Sequence, residues 1–117
     1  MIINDKEIPR LLIISQPWID LILSGDKVWE MRSKETKIQG WIGLVEKGTK
    51  TIVGIARLDS SFFIYDVQNH FNEHKINYTG PNDKLLKYKW AWVLSAATRI
   101  KPIPYIHPQG AVIWVKC

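Results

Sequence analysis

Lys27, Glu30 and Arg32 stand close together directly after a short apolar run, and they are the residues whose types and spacing suit chemistry best. Arginine offers a two-pronged donor to a phosphate or a base edge, and lysine offers a point charge. Glu30 can accept a hydrogen bond from an exocyclic amino group such as that of cytosine. Trp18 and Tyr105 supply faces on which a base could stack. A structural ion network is the competing reading, with Glu30 paired to Arg32 along a strand or to Lys27 across a turn; an exposed pair of that kind contributes about 0–1 kcal/mol. Glu30, flanked by two cations, is expected to stay ionised, which makes it a poor proton acceptor near neutral pH.

The elements that must position these groups follow from local signals. Ser15 can cap from just outside, Pro17 has no N–H to leave unpaired at a helix start, and Gly25 suits a left-handed helix end, so residues 17–24 read as a helix. A period-two pattern over residues 27–32 predicts a strand with Lys27, Trp29 and Met31 on one side and Val28, Glu30 and Arg32 on the other. Residues 11–15 are an apolar β-prone run. Trp41 to Val45 and Thr51 to Leu58 read as partner strands around a turn at residues 46–50, with Gly48 at positive φ and Gly54 marking a bulge or a close approach. Residues 59–89 break the pattern and suggest a helical excursion, capped by Asp66 and carrying Val67, His70, Phe71 and His74, with a loop at Gly80, Pro81 and Asn82. Trp90 to Leu94 is apolar on both faces and predicts a central strand; Arg99 to Tyr105, with Pro102 and Pro104, suits an edge or bent strand; Gly110 to Val115 is the final strand. Trp29, Trp41, Trp92 and Trp114 lie in apolar strands and are expected in the core. Trp18 can either close the core or rim a cleft.

Sixteen Lys and Arg against eleven Asp and Glu give a net charge of +5 and an isoelectric point near 9.4, a balance suited to polyanions. Six tryptophans among those cations add the material of a base-stacking platform. The 117 residues are expected to form one domain without a disulfide or metal staple. Cys117 has no partner cysteine, no leader or membrane-length apolar run is visible, and a soluble cytoplasmic protein is the expectation. No cofactor and no metal are expected. His70 and His74 are at helical spacing but lack an H-E-x-x-H context, and His107 has no companion at ligand spacing.

Gln16-Pro17-Trp18, then Leu23-Ser24-Gly25-Asp26-Lys27, Glu30 and Arg32 together resemble the ASCH domain family, with its G-x-K-x-x-E-x-R signature. Gly40-Trp41-Ile42-Gly43, Val53-Gly54-Ile55-Ala56, Trp92-Val93-Leu94 and His107 to Trp114 carry the resemblance along nearly the whole chain. It implies an α+β, PUA-like fold: a small, mostly antiparallel β-barrel with flanking helices and a cleft where the first helix meets the following strand. It further implies recognition of single-stranded RNA or a modified nucleotide, with Lys27, Glu30, Arg32, Trp18 and Tyr105 as ligand contacts. Hydrolysis is the alternative. The amidohydrolases similar to this family use a Lys, Thr, Glu trio on acylated cytidine, and here Glu30 occupies the position matching the threonine nucleophile, while the third partner falls near Glu73 and His74. Ribonuclease activity would instead need Lys27 and Arg32 to stabilise the transition state and Glu30 to act as base.

Overall fold

Alternate side chains of a strand point to opposite faces, and here both faces of the central strands are buried. Leu12, Ile14, Ile42, Leu44, Leu58, Trp92 and Leu94 pack on one face together with Ile19, Ile22 and Leu23. Leu11, Ile13, Val45, Ile52 and Ile55 pack on the other with Ile3, Ile8 and Val115. A computed structural model describes residues 1–65 and 89–117. Residues 66–88 of the expected excursion, including Asp66, His70, Glu73 and His74, lie outside the described residues.

The chain order is β1 (Ile2–Ile3), β2 (Lys6–Glu7), β3 (Arg10–Ile14), α1 (Trp18–Leu23), β4 (Trp29–Arg32), β5 (Gly40–Glu46), β6 (Thr51–Phe63), β7 (Trp90–Pro104) and β8 (Trp114–Lys116). β1 and β2 form a small hairpin, and the remaining strands form one sheet in the order β4-β7-β6-β5-β3-β8. All its pairs are antiparallel except β3 with β5.

The sheet curls. Adjacent strands lie about 4.8 Å apart, so in a flat sheet β4 and β3, four places apart, would be about 19 Å from each other. Yet the Arg32 guanidinium on β4 donates to the Ile13 carbonyl on β3 at 2.7 Å. Trp92 on β7 likewise stacks on Trp114 on β8, with ring centroids 5.8 Å apart. The expected barrel is therefore only half closed: side chains, not strand pairing, bridge the gap between its edges.

Several expected boundaries shift, each for a local reason. β6 runs past Leu58 to Phe63 because its partner continues, pairing Ser60 with Val93 and Phe63 with Trp90 after a bulge takes up Asp59. The polar Ser61 fits there by donating to the Thr36 carbonyl and accepting from the Thr36 N–H. The two expected strands at 90–94 and 99–105 are one strand, kinked where Ala96 takes a φ of 53° and the register slips. β4 pairs only with Trp90 to Val93, which leaves the far half of β7 as an edge where Pro102 and Pro104 are tolerated. The last strand begins at Trp114, since Gly110 turns the chain with a φ of 85°.

At Gly54, beside a register shift in β6, an added methyl group would run into the Leu23 side chain and within 2.8 Å of the Thr98 carbonyl. Gly54→Ala is expected to destabilise the fold by about 1–3 kcal/mol, because a backbone carbonyl cannot step aside. Gly48→Ala, at a φ of 88° in open space, should cost only about 1 kcal/mol. Urea midpoints of the two variants against wild type check the order.

Candidate functional site

α1 has six residues, too few to be stable alone, and it persists because Ile19, Ile22 and Leu23 are buried in the curl of the sheet. Its start differs from the expected cap. Pro17 is the N-cap and no side chain caps the end; the Ser15 carbonyl, not its hydroxyl, accepts from the Ile19 N–H at 3.1 Å. Its finish is as expected, with Gly25 at a φ of 86°. The Lys27 N–H then donates back to the Leu21 carbonyl at 3.0 Å, which folds the turn under the helix. An exposed ion pair between Asp20 and Arg99 at 3.1 Å ties α1 to β7. The Asp20 carboxyl is held below the usual carboxylate range by hydrogen bonds from Gln16 and Arg99.

That turn corrects one expectation about the charged residues. β4 starts at Trp29, so period two does not extend back to Lys27, and its side chain joins Glu30 rather than Trp29 and Met31. The Lys27 Nζ lies 3.5 Å from Glu30 Oε1, and Arg32 lies 3.8 Å from Glu30 Oε2. The pairing of Glu30 with both cations that the structural reading expects is present, but Lys27 and Glu30 are only 6% and 4% exposed, so it is a buried network rather than an exposed pair. The Lys27 ammonium also sits 5.5 Å from the centre of the Trp18 ring, bringing that tryptophan into the group.

Two features of this group are unusual for a merely structural pair. Burial pushes the Lys27 pKa down, against the opposing pull of the Glu30 charge. Glu30 Oε2 is buried with no hydrogen-bond partner, since the Arg32 contact is too long to count as one. Leaving a buried acceptor unmet costs about 1–3 kcal/mol, and more when it is charged. Arg32 donates one N–H to the Ile13 carbonyl and lies 5.5 Å from the centre of the Trp92 ring, whose indole N–H donates to the Lys34 carbonyl at 2.9 Å.

The ASCH domain family model matches residues 12–104, which spans the helix, the charged group and most of the sheet. The chain belongs to the ASCH domain family. The crystal structure of ASCH from Zymomonas mobilis is similar in fold, with a TM-score of 0.65 at 16% identity, covering 92% of this chain and 86% of that one. A serine-to-alanine mutant of that protein superposes with a TM-score of 0.62 at 17% identity, covering 94% of this chain and 91% of that one. No curated protein matches the chain.

Within this ASCH domain the sequence-expected residues divide. Lys27, Glu30, Arg32 and Trp18 come together, whereas Tyr105 packs against the cluster on the opposite face of the sheet. There it lines a separate cavity of about 260 Å³ with Lys47, Lys50, His107 and Ala111. Sequence reasoning gave no role to those lysines; a turn bearing two cations beside a Tyr-x-His pair is the signal that was available. Of the tryptophans expected in the core, Trp92 is buried, Trp41 and Trp114 are partly buried against the two clusters, and Trp29 meets Phe62 edge to face. Among the described residues no three His, Cys, Asp or Glu side chains gather as a metal site, and no helix is long and apolar enough to cross a membrane.

Removing one member of a buried pair strands the other, so Lys27→Met alone is expected to cost about 3–5 kcal/mol. Lys27→Met with Glu30→Leu should recover most of that loss. The unfolded chain keeps the lysine proton up to about pH 10.4, while the folded chain releases it earlier. The unfolded state thus binds more protons between those values, and the stability of wild type relative to the double variant should rise as pH climbs through that window. Denaturant midpoints at pH 7 and pH 10 test the sign.

Proposed function

We propose that this ASCH domain binds single-stranded RNA or a modified nucleotide where α1, the following turn and β4 converge, with Lys27 and Glu30 reading the ligand. The observation that carries this reading is the buried Glu30 Oε2 without a donor, beside a cation with lowered proton affinity. An exocyclic amino group would supply the missing hydrogen bond, as it would to a glutamate that reads cytosine. Trp18, already against Lys27, is the stacking face. One N–H of Arg32 is given to the Ile13 carbonyl, which holds the guanidinium beside Glu30; in this reading it orients Glu30 and its other N–H groups serve as ligand contacts. The net charge of +5 favours a polyanionic partner and supports the same reading.

Hydrolysis is the second reading, and the buried Lys27 favours it, because a lysine with lowered pKa can take up a proton as a base. In this scheme Lys27 or Glu30 activates a water against an acylated cytidine. The transferred threonine mechanism is not available, since Glu30 provides no hydroxyl.

Fluorescence anisotropy with short single-stranded RNAs over a salt series decides between them. Binding that weakens steeply with salt, falls about tenfold or more in Lys27→Ala and loses base preference in Glu30→Gln is expected. Absent or salt-independent binding overturns the binding reading. Turnover of an acylated cytidine that vanishes in Glu30→Gln would establish hydrolysis instead.

A further inference from the structure

The Tyr105 cavity belongs to neither reading above, and its lining specifies a ligand. Its walls are apolar, from Ile13, Val45, Ala111 and Val112, and its edge is the β5–β6 turn carrying Lys47, Gly48 and Lys50. Both lysines are exposed, and the ion pairs among the described residues involve neither of them. Two cations that form no ion pair with any described residue, at the mouth of an apolar hollow, call for an anionic end on an apolar body.

The polar groups in the wall narrow the choice further. His107 Nε2 lies 2.8 Å from the Ala111 carbonyl, which can only accept, so that nitrogen carries the hydrogen. In the neutral ring Nδ1 is then the acceptor, and the Tyr105 hydroxyl, 2.8 Å away, donates to it. This chain from Tyr105 through His107 to Ala111 satisfies itself. A sugar or a nucleobase entering the cavity would give up its own hydration and find no free donor in that chain. An apolar ring or a short acyl chain loses nothing there. At about 260 Å³ the cavity falls just below the usual range for drug-sized ligands, about 300–1,000 Å³, and suits one ring.

We propose that this cavity is a second binding site, for a small apolar monocarboxylate whose body lies against Ile13, Val45 and the Tyr105 ring and whose carboxylate lies between Lys47 and Lys50. The backbone of the turn that carries the two lysines is anchored beside the cavity. Gly48 and Lys50 both take left-handed conformations, at φ values of 88° and 56°. The Lys50 carbonyl accepts from the Tyr105 N–H at 3.2 Å, and the Lys47 N–H donates to the Ile14 carbonyl at 2.9 Å.

Amide NMR titration of the full chain with benzoate tests the proposal, with benzyl alcohol and inorganic phosphate as probes lacking the charge and the apolar body. Saturable shifts with benzoate at Gly48, Tyr105, Ala111 and Val112, and none with either control, are expected. Lys47→Ala with Lys50→Ala should weaken benzoate about tenfold, as loss of two exposed charge contacts would. Ala111→Phe, which fills the hollow and keeps both lysines, should abolish the shifts. The lysine variants change only exposed side chains, so they report on the site even if Ala111→Phe does not fold. Equal shifts with benzyl alcohol, no saturation with benzoate, an unchanged affinity in the lysine variant, or displacement of benzoate by short RNA would each overturn the assignment.

Discussion

The hydrogen bond from Arg32 to the Ile13 carbonyl joins strands that are four places apart in the sheet, and it requires the curl that gives this ASCH domain an interior. A flat sheet would hold the two groups at about 19 Å, well beyond the reach of any side chain. The same guanidinium lies over Trp92, and Trp92 in turn stacks on Trp114 at the opposite edge. A cation, an indole and a carbonyl thus do what a further strand pair would do in a closed barrel. Because Arg32 also faces Glu30, closure of the fold and orientation of the buried carboxylate are one event.

This coupling explains why Lys27 and Glu30 can be buried at all. Ionised groups leave water only at a substantial cost, and a pair between strands and helix is tolerated where the surrounding framework holds its geometry. α1 covers the pair from one side, secured by Ile19, Ile22 and Leu23 and by the close packing of Leu23 on Gly54. The fold nevertheless leaves Glu30 Oε2 without a hydrogen bond. Such an acceptor takes its hydrogen bond from outside the protein, from a water or from a ligand.

Much of the architecture was legible from local patterns. The β5–β6 hairpin, the left-handed glycines at positions 25 and 48, the close approach at Gly54 and the shared face of Glu30 and Arg32 all appear as expected. The errors fall where a neighbour overrides local preference. Asp59, Ser60 and Ser61 look like a strand end, yet β7 supplies partners that carry the strand to Phe63. Ser95 to Thr98 look like a break between strands, yet a bulge absorbs them. Tyr105 and Trp18 both look like stacking faces for one ligand, yet they lie on opposite sides of the sheet.

By itself, the amino-acid sequence determined the periodicities, the turn positions and the proximity of Lys27, Glu30 and Arg32, because these depend on backbone sterics and on spacing along a few residues. Only the tertiary structure decided that Lys27 turns in toward Glu30, that Arg32 is engaged by Ile13, and that Tyr105 with Lys47 and Lys50 encloses a separate hollow. Each of these depends on the curl of the sheet, which brings together residues far apart in the chain, and no local pattern records how far a sheet will bend.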